Sequence, residues 1–134
     1  MDDSLYTGLT TGVALLVYYF TLTKSALARG KHGVEAPSHD GPEEYMRYVR
    51  VHQNTLEHIV IFIPALWLFA YSVDFFWAAA IGLVWPVGRL FYAFGYYEAA
   101  DKRMPGFILS MLPLYVLVLG GIIGCVWDLT MLEV

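Results

Sequence analysis

Four apolar runs divide the chain. The first, Leu5 to Thr23, is nineteen residues without a charge (LYTGLTTGVALLVYYFTLT). The second, Tyr45 to Val73, has a charged first half and an apolar second half, IVIFIPALWLFAYSV. Only Asp74 separates it from the third run, Phe75 to Tyr97, and the short stretch EAADKRMPG leads into the fourth, Phe107 to Trp127. A helix needs ~20 mostly apolar residues to cross the hydrocarbon core, and each run supplies about that many. The runs predict membrane-spanning helices over residues 5–27, 45–73, 75–97 and 107–127. Short connections favour antiparallel neighbours, so the expected fold is all-α, a four-helix up-down bundle forming a single domain over residues 1–134. Pro64, Pro86 and Pro113 fall inside spans two, three and four, where each should free a carbonyl and kink its helix.

Composition agrees with the pattern. Of the 134 residues, 58% are hydrophobic and 15% charged, too apolar for a disordered chain or a basic nucleic-acid binder. The single Cys125 excludes an internal disulfide framework. Asp2 and Asp3 stand where a signal peptide would carry positive charge, so the first run reads as a retained span. The polar stretch Lys24 to Glu44, with Pro37, Pro42 and three glycines, reads as a loop, with the option of a first helical turn continuing span one. Seven of the eight Lys and Arg lie in this loop, at the adjoining start of span two, and in the loop after span three. Positive-inside bias puts both loops in the cytoplasm and both termini on the opposite side, in a bacterial cytoplasmic membrane or an endoplasmic-reticulum membrane.

The unusual feature is charge inside the spans. On a helix at 100° per residue, Arg47, Arg50, Asn54, Glu57 and His58 fall within an arc of about 100°, with His52 opposite. Span three repeats the theme: Trp85, Arg89, Tyr92 and Tyr96 share an arc of about 60°. Each mid-span charge costs ~2.5–3.5 kcal/mol to insert, less near the interface, so these residues are functional candidates by default. One reading is a buried ion network that glues helices together. The other is a polar ligand site open to the cytoplasm, suited to a ligand carrying both carboxylates and an ammonium. Gly88 and Gly95, seven apart beside the span-three stripe, would allow close helix approach. Metal chemistry has no support, since His52 and His58 lie on different faces and no HExxH or CxxC occurs.

The pattern RYVRVHQNTLE (Arg47 to Glu57), followed by GRLFYAFGYY (Gly88 to Tyr97) and KRMPGF (Lys102 to Phe107), resembles the MAPEG family. These are membrane-associated proteins in eicosanoid and glutathione metabolism. The stretch RVHQNTLE is most similar to the type 3 branch of the microsomal glutathione transferases. The resemblance covers the whole chain, and it implies homotrimers with glutathione bound between neighbouring protomers near the cytoplasmic side. By similarity, Arg50, Asn54 and Glu57 hold the peptide's charged ends and backbone, with Tyr92 and Tyr96 contributing from span three. Arg47 matches a supporting position, and Arg29 an arginine that in some members reaches glutathione from the adjacent protomer. Arg103 matches the arginine that stabilises the thiolate in the leukotriene-synthase branch, and is the expected catalytic residue. Two positions depart from that branch: His58 stands where it carries a tyrosine, and Gly30 where it carries a second catalytic arginine. The residue pattern adds His58 and Arg89 to the expected glutathione-binding set.

The implied function is a membrane-bound glutathione transferase that activates the thiolate for attack on lipophilic electrophiles, with lipid hydroperoxides as further substrates and no metal. The alternative is a noncatalytic lipid-binding or scaffold protein of the same fold.

Overall fold

The computed structural model describes residues 2–133. Its helices are α1 (Ser4–Lys31), α2 (Glu43–Ser72), α3 (Phe75–Gly82), α4 (Val84–Glu98) and α5 (Met104–Leu132), with a single 3-10 turn, Ala100–Arg103, before α5. Four stretches are long and apolar enough to cross a membrane: Ser4–Lys31, Glu43–Ser72, Phe75–Glu98 and Ala100–Leu132. The expected all-α four-helix bundle is the observed one.

The helix ends follow local chemistry. The Asp2 carboxylate accepts from the Ser4 backbone N–H at 3.0 Å, and the Ser4 hydroxyl, then this N–H, hold its pKa below the usual aspartate value. α1 runs on to Lys31 and α2 begins at Glu43, so nearly half of the stretch expected as a loop is helical. α1 stops at Gly33, which adopts φ 64, a conformation that glycine enters without a Cβ penalty. There Val34 N–H bonds to Arg29 O and Gly33 N–H to Gly30 O, closing the last turn on its own carbonyls. The tight turn after α2 works through Asp74, whose carboxylate caps α3 by accepting from Trp77 N–H at 2.7 Å.

The third span is interrupted where Pro86 leads the sequence to expect it. A single turn residue, Leu83, with helical dihedrals (φ −62, ψ −22), separates α3 from α4 within one spanning stretch. Pro86 has no N–H for the carbonyl of Gly82, and Gly82 itself weakens the helix at the same place. Pro64 and Pro113 sit inside unbroken helices, without comparable glycines at the freed carbonyls.

Packing is by small residues and aromatic stacks. α1 turns Thr7, Thr10, Ala14, Val17, Thr21, Ser25 and Ala28 inward, and Thr7 and Thr10 donate to the α3 carbonyls of Phe75 (2.8 Å) and Ala79 (3.1 Å). In the core, Phe62 and Trp85 stack at 4.5 Å, packed with Leu66, Leu114 and Leu117. α4 and α5 approach most closely at their glycines. A Cβ on Gly88 would lie 2.6 Å from the backbone N of Ser110, and one on Gly106 would strike the backbone of Tyr92. That contact, at the basic end of the bundle, brings the polar residues of three helices together. The outer surface stays apolar, with Leu9, Leu16 and Ile123 all about 70% exposed, as a lipid-facing surface requires.

Candidate functional site

Arg89 is the centre of the polar cluster and is completely buried. Its Nη2 donates to Asn54 Oδ1 at 2.9 Å and to Thr55 Oγ1 at 2.8 Å. Its Nη1 reaches His58 Nδ1 at 3.3 Å and Ser110 Oγ at 3.4 Å. The guanidinium also lies 4.0 Å from the centre of the Tyr92 ring, a cation–π contact. Among the described residues no carboxylate lies within ion-pair distance of it. A buried charge left without hydrogen bonds would be prohibitive; here neutral acceptors from α2 and α5 hold both terminal nitrogens and the Tyr92 ring face lies against the guanidinium, while Nε has no hydrogen-bond partner among the described residues. Asn54 and His58 of α2 are thus brought together with Arg89 and Tyr92 of α4. Thr55 and Ser110 were not anticipated. The signal for Ser110 was present, as a lone polar residue within the apolar fourth run.

Beside this cluster lies an open cavity of about 350 Å³, lined by Arg50, Asn54, Tyr92, Tyr96, Arg103, Met104 and Phe107. The Arg103 guanidinium sits 5.7 Å from the centre of the Tyr96 ring and donates to the carbonyl of Ala100, which ties it to the 3-10 turn. The lining combines two guanidiniums, an amide and two phenols, with no carboxylate. It is shaped for an anionic ligand, and its volume lies within the range of small-molecule sites.

The other expected site residues stand elsewhere. Arg89 does not line the cavity, because its charge is turned inward. His58 is buried, edge-on to Phe107 at 5.5 Å. Glu57 is exposed on the outer face of α2, beyond the cavity lining. Arg47 donates from Nε to the carbonyl of Tyr97 at 3.3 Å and pairs with Glu43 at 3.8 Å, a supporting position at the end of α4. Arg29 is engaged within its own chain. It donates to the loop carbonyls of Val34 (3.4 Å) and Ser38 (2.7 Å), contacts His39 at 3.1 Å, and lies over the Tyr45 ring.

Residues 7–123 match the MAPEG family. The chain belongs to this family. It is 43% identical to an uncharacterized protein of Synechocystis sp. over 98% of this chain and 96% of that protein. It is 36% identical to mouse microsomal glutathione S-transferase 2, over 92% of this chain and 83% of the relative. Guinea-pig leukotriene C4 synthase is 33% identical over 82% of this chain and 73% of the relative. The named relatives are of the type 2 and leukotriene-synthase kinds, so the likeness to type 3 rests on the RVHQNTLE stretch alone. With four spanning-length helices, this MAPEG chain is an integral, multi-pass membrane protein.

Proposed function

We propose that this MAPEG member is a glutathione transferase that delivers the glutathione thiolate to lipophilic electrophiles. The observation that carries the reading is the joint placement of Arg50, Asn54, Tyr92, Tyr96 and Arg103 around one cavity on three helical elements. Glutathione brings two carboxylates, peptide carbonyls, an ammonium and a thiol. The guanidiniums and the amide suit its carboxylates and carbonyls, and the phenols add directed donors. The cavity offers the ammonium no carboxylate. Glu57 supplies one a single turn beyond Asn54, on the exposed side of α2.

That side of α2 supports a homotrimer with a shared site. Arg50, Asn54, Glu57, Ile61, Pro64, Leu68 and Tyr71 recur at spacings of four and three, the period of a helix seam, and all but the half-buried Asn54 are exposed. A second copy packed along this stripe would wall the open edge of the cavity and enclose Glu57. Arg29 could reach a neighbour's ligand only by releasing the loop carbonyls it now holds.

In the reaction, a free thiol of pKa ~8.5 is only a few per cent ionised at neutral pH. Arg103, in the cavity wall, is the guanidinium proposed to favour the thiolate, and each pKa unit lowered corresponds to ~1.4 kcal/mol. The thiolate then attacks the electrophile, forming the carbon–sulfur bond as the leaving group departs with the electron pair or the epoxide oxygen takes a proton. With a lipid hydroperoxide it attacks oxygen instead, giving an alcohol and a sulfenic acid that a second glutathione converts to disulfide and water. Polar glutathione enters from the cytoplasm and the apolar substrate arrives laterally from the bilayer.

Purified, detergent-solubilised protein tests this directly. Conjugation of a generic electrophile, with a thiolate absorbance on glutathione binding, is the expected result. Glutathione binding with neither conjugation nor peroxidase turnover would replace the reading with the noncatalytic alternative.

A further inference from the structure

Arg89 is absent from the lining of the cavity, yet its hydrogen bonds dictate what the cavity presents. A guanidinium has donors only. Each of its partners must therefore offer a lone pair, and two of them show that they do. The Thr55 hydroxyl donates to the Val51 carbonyl at 2.7 Å, and the Ser110 hydroxyl to the Phe107 carbonyl at 2.9 Å. Both hydroxyl protons go to the preceding turn of their own helices, which leaves the oxygens as acceptors toward Arg89. The same logic reaches Asn54 and His58. Asn54 accepts through Oδ1, so its amide N–H2 is the end free for the cavity it lines. His58 accepts through Nδ1, so its ring is neutral and its proton sits on Nε2.

We propose that Arg89 is a positioning residue that fixes the hydrogen-bond polarity of the glutathione site, by locking Asn54 with its amide donors toward the ligand and His58 as the Nε2–H tautomer. The inference rests on the proposed glutathione reading and deepens it. Asn54 recognises an acceptor of the ligand, a carboxylate or a peptide carbonyl, and discriminates against a donor. The ring of Tyr92, which also lines the cavity, is held by the same guanidinium at 4.0 Å. One buried side chain thereby orients two of the five polar residues of the site. An asparagine free to flip would present either end. The clamp removes that choice before the ligand arrives, so no binding energy goes into ordering it.

Two measurements of glutathione affinity test it, each beside the thermal transition of the same detergent-solubilised variant. Asn54→Asp keeps the oxygen that Arg89 holds and adds an opposite charge to the clamp. It also replaces the amide donors with a carboxylate oxygen. The expected result is an unchanged or raised transition temperature with glutathione affinity down by tenfold or more, on the order of one charged hydrogen bond and its reversal. The second measurement is a double-mutant cycle of Arg89→Gln with Asn54→Ala. Arg89→Gln should weaken binding roughly tenfold in the wild-type background and much less once Asn54 is alanine. A merely structural arginine would weaken binding equally in both backgrounds. Additive effects in the cycle, or Asn54→Asp binding within twofold of wild type, overturn the positioning role. If Arg89→Gln does not fold, the Asn54→Asp result decides alone. A wild type that binds no glutathione overturns the proposed function, and this inference with it.

Discussion

Thr55→Val is the cleanest probe of the buried clamp, because valine matches threonine in shape and opens no cavity. Thr55 is fully buried and its Oγ1 accepts from Arg89 Nη2 at 2.8 Å, near the ideal length. Hydrogen bonds to a charged group are worth about 1.5–3 kcal/mol. Interhelical polar contacts in membrane proteins measure lower, at most about 1.7 kcal/mol, because the denatured chain also finds partners. Nη2 carries two protons, one held by Asn54 and one by Thr55, so the change leaves the second unpaired, and the expected loss is at the top of the membrane range, about 1.5 kcal/mol. Ser110→Ala supplies the internal control. Its oxygen lies 3.4 Å from Nη1, at the limit of hydrogen-bond reach, so the proton aimed at it is only weakly held to begin with. That loss should be about 0.5 kcal/mol or less. Equilibrium denaturation of the helical signal in mixed detergent micelles reads both. If Thr55→Val proves neutral, or if Ser110→Ala costs as much, the distances do not rank the contacts and the clamp is not where the stability resides.

Arg103→Ala should reduce the thiolate fraction of bound glutathione about tenfold, for a one-unit rise in thiol pKa, while leaving the thermal transition near wild type. Absorbance of the thiolate on titration with glutathione checks it, and an undiminished signal would remove Arg103 from its role. Gly106→Ala places a methyl against the Tyr92 backbone, where no side chain can yield. The α4–α5 contact must open, with a loss of about 1–3 kcal/mol and weaker glutathione binding; a stable variant with normal affinity would show that the close approach does not hold the site. Asp74→Ala removes the cap on α3 and should lower stability by about 1 kcal/mol without altering glutathione affinity, since it lies at the opposite end of the bundle from the cavity.

Most of the cavity was legible before the structure because helical periodicity relates residues three and four apart. Arg50 and Asn54, or Tyr92 and Tyr96, share a face whatever surrounds the helix. Depth is not legible in the same way. Arg89 lies on the same stripe as Tyr92, and spacing alone made it a ligand residue. It faces inward because α2 and α5 supply four acceptors at its level. Glu57 shows the converse: it shares a stripe with Arg50 and Asn54, yet lies outside the cavity lining because the wall ends one turn earlier. Arg29 could not be placed from spacing at all, since its partners lie in a loop with no period.

The sequence by itself determined the bundle. Four apolar runs of spanning length, tight connections and sparse internal charge leave few other folds, because the bilayer demands helices whose backbone bonds are satisfied within the segment. It also determined which polar side chains share a helix face. What only the tertiary structure decided was which polar groups meet one another and which meet the ligand. That depends on the rotation of each helix about its axis and on the close approach at Gly88 and Gly106. Helix rotation is a property of the packed interface, set by contacts between residues distant in the chain, and no single helix carries it. The internal charge thus resolved into two kinds of arginine. Arg50 and Arg103 open onto the cavity, while Arg89 is buried behind it and holds the side chains through which the cavity acts.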